Sequence, residues 1–162
     1  MLIAIISDTH DNLATIDIAL EKIKAQNINT ILHCGDLCNQ DTAEYLAKNF
    51  DGVIYTAYGN ACQKSELITV AEKYPNLKLL GREGEFITPE KRIGFCHYPD
   101  LAKEMALSKK YDIIFYGHTH QPWEEKIGEI KIINPGTLAG LFNPATFAYY
   151  NTTTNQLQLN RL

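Results

Sequence analysis

Five short apolar runs, residues 2–6, 30–32, 53–57, 93–95 and 113–115, each stop a few residues ahead of an acid, an amide or a histidine. Runs this short and this continuously apolar fit strands buried on both faces, as in a parallel sheet. After the first run, Leu13, Ile16, Ala19, Leu20 and Ile23 recur at helical spacing behind Asp11 or Asn12 as a cap, which predicts a helix to about residue 26. A second helix over 42–50, a turn at Asp51-Gly52 and the strand at 53–57 complete a β-α-β-α-β run. That order implies a parallel sheet, with right-handed crossovers placing both helices on one face. Farther on, the pattern predicts a helix over 65–74 ended by Pro75, then strands at 77–80, 85–88 and 91–96 separated by Gly81, Gly84 and Pro89-Glu90. A helix over 101–108 and a strand at 112–116 follow. Residues 123–127, 130–133, 146–150 and 156–159 read as strands, with turns at Gly128-Glu129 and 153–155. A strand-rich second half calls for a second sheet. Two sheets packed face to face, each covered outside by helices, would bury the apolar runs on both sides, an α/β fold in four layers. There is no repeat, low-complexity tract or linker.

With 162 residues, 45% hydrophobic and 21% charged, the chain suits one core, and one domain over 1–162 is expected. A net charge of -4 gives no broad basic surface, so long nucleic acid is not an expected partner and a nuclease is disfavoured. The apolar N-terminus lacks a basic flank and breaks at Ser7-Asp8, unlike a signal peptide. Nothing approaches the roughly 20 apolar residues that cross a bilayer. A cytoplasmic protein without a membrane partner is therefore expected, with Cys34, Cys38, Cys62 and Cys96 reduced. Cys34 and Cys38 do not make a structural zinc site, because Cys62 and Cys96 supply no second pair. They read as small hydrophobes, but each lies within two residues of a candidate ligand, where oxidation would disturb the site.

The candidate ligands are Asp8 and His10, Asp36, Asn60, His97, and His118 and His120. Asp8 and His10 are one residue apart, so in an extended strand end they point to the same side and grip one ion; His118 and His120 repeat that spacing. Gly35 lets the chain turn sharply and present Asp36, whose two oxygens suit a bridge between cations. Asn60, also behind a glycine, offers a neutral oxygen, and His97 a further nitrogen. Each motif alone is common. Together they place seven oxygen and nitrogen donors at strand ends, and burying carboxylates without a counter-charge is expensive, so the set reads as a two-metal hydrolase site. His33 is left out as a packed or hydrogen-bonded residue, and Trp123 either covers the edge of the core, the favoured reading, or stacks on a substrate base. No nucleophile elbow surrounds Ser7, and residues 81–84 do not form a phosphate-binding loop.

The order Asp8-x-His10, Gly35-Asp36, Gly59-Asn60, His97, Gly117-His118-x-His120 resembles the calcineurin-like metallophosphoesterase superfamily. The Ser7 to Asn12 opening and the segment Asn134-Pro135-Gly136-Thr137 look like its small single-domain YfcE-type phosphodiesterases. The resemblance implies an αββα sandwich of two mixed sheets holding two divalent ions. Asp8, His10, Asp36 and His120 would hold one ion, and Asp36, Asn60, His97 and His118 the other, with Asp36 as bridge. It further implies a phosphodiesterase that hydrolyses small organic phosphate esters with a hydroxide bridging the ions. A phosphomonoesterase, and a non-catalytic scaffold like the related retromer subunit, are the alternatives. Manganese is the expected ion; nickel, zinc or iron also suit these donors. Two departures bear on chemistry. Ala61-Cys62-Gln63 follows Asn60 where many relatives carry a histidine that protonates the leaving group, which favours substrates with good leaving groups. His97-Tyr98-Pro99 replaces a common His-Gly-His, so Tyr98 either reshapes the pocket or packs. Exposed strand edges leave room for a homodimer or higher homo-oligomer, with the oligomeric state open.

Overall fold

The apolar runs pair as strands of two sheets in a computed structural model that describes residues 1–162. In chain order the elements are β1 (Leu2–Ile6), α1 (Leu13–Ala25), β2 (Thr30–His33), α2 (Gln40–Asn49), β3 (Val53–Thr56), α3 (Lys64–Lys73), β4 (Leu77–Leu79) and β5 (Glu83–Ile87). They continue with β6 (Arg92–Cys96), α4 (Pro99–Leu107), β7 (Ile113–Phe115), β8 (Trp123–Ile127), β9 (Ile130–Asn134), β10 (Thr146–Asn151) and β11 (Gln156–Arg161). The first sheet runs β11-β10-β1-β2-β3-β4, parallel from β1 to β4 and antiparallel at β10 and β11. The second runs β5-β6-β7-β9-β8, parallel through β6, β7 and β9, with β5 and β8 antiparallel at its edges.

Alternation along each strand then builds the layers. Ile3 and Ile5 of β1 and Leu32 of β2 meet Ile93 and Phe95 of β6 and Ile113 and Phe115 of β7 between the sheets. Ala4, Ile6 and Ile31 face the other way, onto Ile16, Leu20, Leu46 and Leu67 of α1 to α3. Ile114 and Cys96 turn outward onto Ala102 and Met105 of α4. The result is a four-layer αββα sandwich, which explains why the central strands β1 and β7 carry no polar alternation.

Caps set the helix starts. The Asn12 side chain accepts the Thr15 N–H at 3.3 Å and begins α1. Asn39 does the same for Thr42 at 3.0 Å, starting α2 two residues earlier than the periodicity predicts. Pro99 opens α4 at its first position, where the missing N–H costs nothing, again two residues early.

Two expectations are corrected. Gly84 is not a turn but the second residue of β5, where a Cβ would lie 2.2 Å from Phe95 Cζ; the glycine makes room for that buried ring. Trp123 does not cover the core edge: it is 55% exposed on the edge strand β8. No helix is long and apolar enough to cross a membrane.

Candidate metal centre

Because β1, β2, β3, β6 and β7 are mutually parallel within their sheets, the loops after them can be gathered at one edge of the sandwich, the usual place for a site in α/β sheets. Asp8 and His10 follow β1, Asp36 follows β2, Asn60 follows β3, His97 follows β6, and His118 and His120 follow β7. All seven predicted residues come together there.

His120 Nε2 lies 3.2 Å from Asp8 Oδ1 and 3.1 Å from His10 Nε2, and His10 Nε2 lies 3.8 Å from Asp8 Oδ1 and 3.6 Å from Asp36 Oδ2. On the other side of Asp36, His97 Nε2 is 3.3 Å from its Oδ2 and 3.0 Å from Asn60 Oδ1. His118 Nδ1 completes that group at 3.0 Å from Asn60 Oδ1 and 3.2 Å from His97 Nε2. Bonds of about 2.1 Å around one cation would set adjacent donors about 3.0–3.4 Å apart, so these groups are able to hold metal, with His10 standing slightly wide at 3.6 and 3.8 Å from the two carboxylates. Asp8, Asp36 and His97 are buried, His10 and His120 half-buried, and Asn60 and His118 exposed. The acidic floor is covered and the His118 side is open to solvent.

Convergence does not arise as the spacing implied. Asp8 and His10 are not at an extended strand end; both have left-handed backbone, φ 52° and 37°. Asp36, His118 and His120 share that conformation, at 56°, 72° and 58°. Left-handed backbone costs roughly 1–2 kcal/mol per non-glycine residue, so the surroundings must hold it. They do so with hydrogen bonds. The Asp8 carbonyl accepts Thr137 Oγ1–H and the Ala139 N–H, both at 2.9 Å, while the Asp8 carboxylate accepts the His118 N–H at 3.1 Å. Asn134 Nδ2 donates to the Gly117 carbonyl at 2.8 Å and to Thr119 Oγ1 at 3.0 Å, and its Oδ1 accepts the Gly136 N–H at 2.8 Å. The Asn134 to Thr137 segment thus ties the first ligand loop to the last. Sequence reasoning saw that segment as a family signature and missed its role.

The glycines in front of the ligands also do something the sequence does not show. Gly35 has φ 99°, the sharp turn expected of it. At Gly59 and Gly117 the need is clearance. A Cβ on Gly59 would lie 2.0 Å from Asp36 Oδ1, and one on Gly117 would lie 2.0 Å from Ser7 Oγ and 2.7 Å from Asp8 Oδ2.

Charge follows the geometry. The Asp8 carboxylate facing its ring raises the His10 pKa, helped by the Asp36 charge and outweighing burial. Burial opposes protonation of His97, yet hydrogen bonding and attraction by Asp36 leave its pKa raised. Burial likewise works to raise Asp36, but His97 and the Ala61 N–H, 2.8 Å from Oδ1, hold it lowered. The carboxylate floor therefore draws positive charge.

His33 stands outside the cluster, as expected. It is fully buried, its Nδ1 accepts the Gly35 N–H at 3.2 Å, and Nε2 then donates to Thr9 Oγ1 at 3.3 Å, which donates to the Asp36 carbonyl at 3.1 Å. Burial pushes its pKa down to about 4 and keeps it neutral. Tyr98 packs its ring 5.0 Å from that of His97 and 5.2 Å from that of His118, forming a wall of the cup. The four cysteines are free thiols and form no metal cluster of their own.

Comparison with known proteins gives concordant results. Residues 1–155 match the calcineurin-like phosphoesterase superfamily domain. The phosphodiesterase MJ0936 of Methanocaldococcus jannaschii is 30% identical over 148 residues, which span 86% of each chain. A solved structure described as a novel archaeal phosphodiesterase superposes with a TM-score of 0.89 at 25% identity, covering all of both chains. Vps29 of Entamoeba histolytica complexed with Zn²⁺ shares the fold, with a TM-score of 0.68 at 18% identity over 100% of this chain and 98% of that one.

Proposed function

This chain belongs to the calcineurin-like phosphoesterase superfamily and is a phosphoesterase, and we propose that it is a two-metal phosphodiesterase acting on small organic phosphate esters in the cytoplasm. The observation that carries this is the meeting of seven oxygen and nitrogen donors in two groups that share Asp36. Asp8, His10, Asp36 and His120 would hold one divalent ion; Asp36, Asn60, His97 and His118 would hold the other. Manganese is the expected occupant, with nickel, zinc or iron as substitutes that donors of this chemistry accept. When bound, the pair supplies Lewis-acid polarisation of the phosphoryl oxygens and a water acidified enough to attack at neutral pH.

The chain's own groups do the positioning. Asn60 and His118, exposed at the lip, stand where a phosphate enters, and the buried Asp8 and Asp36 concentrate the negative charge that retains cations. Tyr98 limits the space beside His118. After Asn60 the chain offers the Ala61 N–H to Asp36 rather than an acidic side chain to the leaving group. Esters whose alcohol leaves readily, without a proton, are therefore favoured. The net charge of -4 argues against long nucleic acid.

Metal-stripped protein refilled with Mn²⁺, Ni²⁺ or Zn²⁺ should hydrolyse bis-p-nitrophenyl phosphate faster than p-nitrophenyl phosphate. Asp36→Ala and His97→Ala should abolish both activities. Two ions bound without turnover under any metal would replace this reading with a protein-interaction scaffold, the alternative that the Vps29 fold likeness keeps in view.

A further inference from the structure

Each half of the cup has one buried or half-buried histidine whose second ring nitrogen is held from behind, and the two are held differently. His97 Nδ1 donates to the Cys34 carbonyl at 3.0 Å, a rigid main-chain acceptor that leaves Nε2 facing Asp36 and Asn60. His10 turns its Nε2 into the cup, toward His120, Asp36 and Asp8. With a cation in the cup that lone pair would be directed inward, and the ring proton would then sit on Nδ1 and need an acceptor. The group facing it is the thiol of Cys38, with Sγ 3.6 Å from Nδ1.

Cys38 is placed for this by its own backbone. It is 6% exposed, has left-handed φ of 72°, and its Sγ lies 3.5 Å from the Asp36 carbonyl. A thiol in that position donates S–H to the carbonyl and offers its lone pair to His10. A left-handed conformation at a residue other than glycine or asparagine is strained, and here it turns a side chain onto the back of a proposed ligand.

We propose that Cys38 is a positioning residue for His10: its sulfur accepts the Nδ1 proton, selects the tautomer with a free Nε2, and so sets the affinity of the ion held by Asp8, His10, Asp36 and His120. This rests on the two-ion reading above. Partners behind a metal-binding histidine typically change affinity by about 10–100-fold, and a thiol is a weak acceptor, so the low end applies. The second ion, whose histidine leans on a carbonyl, is independent of Cys38.

The test uses the full-length chain, stripped of metal and titrated with Zn²⁺ against a chromogenic chelator, so that the number of ions and both dissociation constants are read without turnover. Cys38→Ala should weaken one of the two ions about 10-fold and leave the other unchanged. Cys38→Ser, whose hydroxyl still accepts, should restore the weakened constant toward wild type. Nitrogen-15 NMR of the zinc-loaded protein should show the His10 Nδ1–H of the wild type and of Cys38→Ser in a hydrogen bond that zinc-loaded Cys38→Ala lacks. Two wild-type constants and an unchanged His10 Nδ1–H signal in Cys38→Ala would overturn the inference while leaving the two-ion reading intact. Equal weakening in the alanine and serine variants would assign the effect to packing and overturn it as well. Fewer than two ions on the wild-type chain would remove the two-ion reading, and this inference with it.

Discussion

Gly59→Ala isolates the geometry of the shared carboxylate, because Gly59 lies outside the left-handed region and alanine meets no backbone penalty there. The added methyl would sit 2.0 Å from Asp36 Oδ1, 2.7 Å from its Cγ and 2.6 Å from its main-chain nitrogen. Ordinary contact needs about 3.5 Å, so the carboxylate or the loop must move by about 1.5 Å. Asp36 has little freedom to yield, since Oδ1 is held by the Ala61 N–H at 2.8 Å and the main chain is left-handed. Overpacking of this kind costs about 1–3 kcal/mol of stability. A displacement of 1 Å or more at a reacting centre costs roughly 100-fold in rate. Gly81→Ala is the control: its φ of 88° strains alanine by about 1 kcal/mol, but no atom lies within 4 Å of the new methyl. Thermal unfolding, zinc stoichiometry and bis-p-nitrophenyl phosphate turnover should be measured on both variants. Gly59→Ala should lose about 100-fold in turnover, whereas Gly81→Ala should lose stability alone. Wild-type turnover in Gly59→Ala would refute the assignment of Asp36 as a closely held shared ligand.

Asn134→Ala removes hydrogen bonds to the buried Gly117 carbonyl and Gly136 N–H, and should lower the urea unfolding free energy by about 3 kcal/mol; a loss below about 1 kcal/mol would mean the two loops do not depend on it. His33, held at a pKa of about 4, should remain neutral by NMR down to that pH in the metal-free protein. Its folded pKa lies below the usual histidine value, so the stability it contributes is complete above about pH 6.5 and drains as pH falls toward 4, by about 3 kcal/mol in all. Titration of His33 near 6.5 would contradict its burial and its bonds to Gly35 and Thr9. Ser7→Ala deletes a fully buried hydroxyl that has no hydrogen-bond partner and should leave the protein as stable, or stabler by about 1 kcal/mol, with turnover intact. Loss of turnover without loss of metal would point to a serine nucleophile.

The elements were legible because burial on both faces leaves a signature that survives in one sequence: Leu2–Ile6 and Ile113–Phe115 are short, apolar and bounded by turn residues. The meeting of the ligands was legible for a related reason, since they follow strands that the β-α-β order makes parallel. What was not legible is how they are held. Alternation predicted extended backbone at Asp8 and His10, and nothing in Ser7-Asp8-Thr9-His10 announces a left-handed turn without glycine. That turn is imposed from Thr137 and Ala139, about 130 residues away. Gly59 and Gly117 stood in the sequence only as the residues before Asn60 and His118, and what they accommodate is Asp36 and Ser7-Asp8, which no local pattern encodes. Cys38 looked like a small hydrophobe because its partner His10 lies on another loop.

Enzyme and scaffold separate on the cost of this arrangement. Five of the seven donor residues hold left-handed backbone, a strain of order 5 kcal/mol in total at about 1 kcal/mol each. That is comparable with the whole stability of an ordinary domain, about 5–15 kcal/mol. A surface kept only for contact with another protein has no use for it. Ion binding offsets the strain: at a thousandfold excess over the dissociation constant, one ion returns about 4 kcal/mol. Strain alone therefore argues for cations, and a metal-bearing scaffold would satisfy it. Turnover needs something more, a second group of donors within reach of solvent and substrate. Asn60 and His118 supply it, because they are exposed at the lip while Asp8, Asp36 and His97 stay buried.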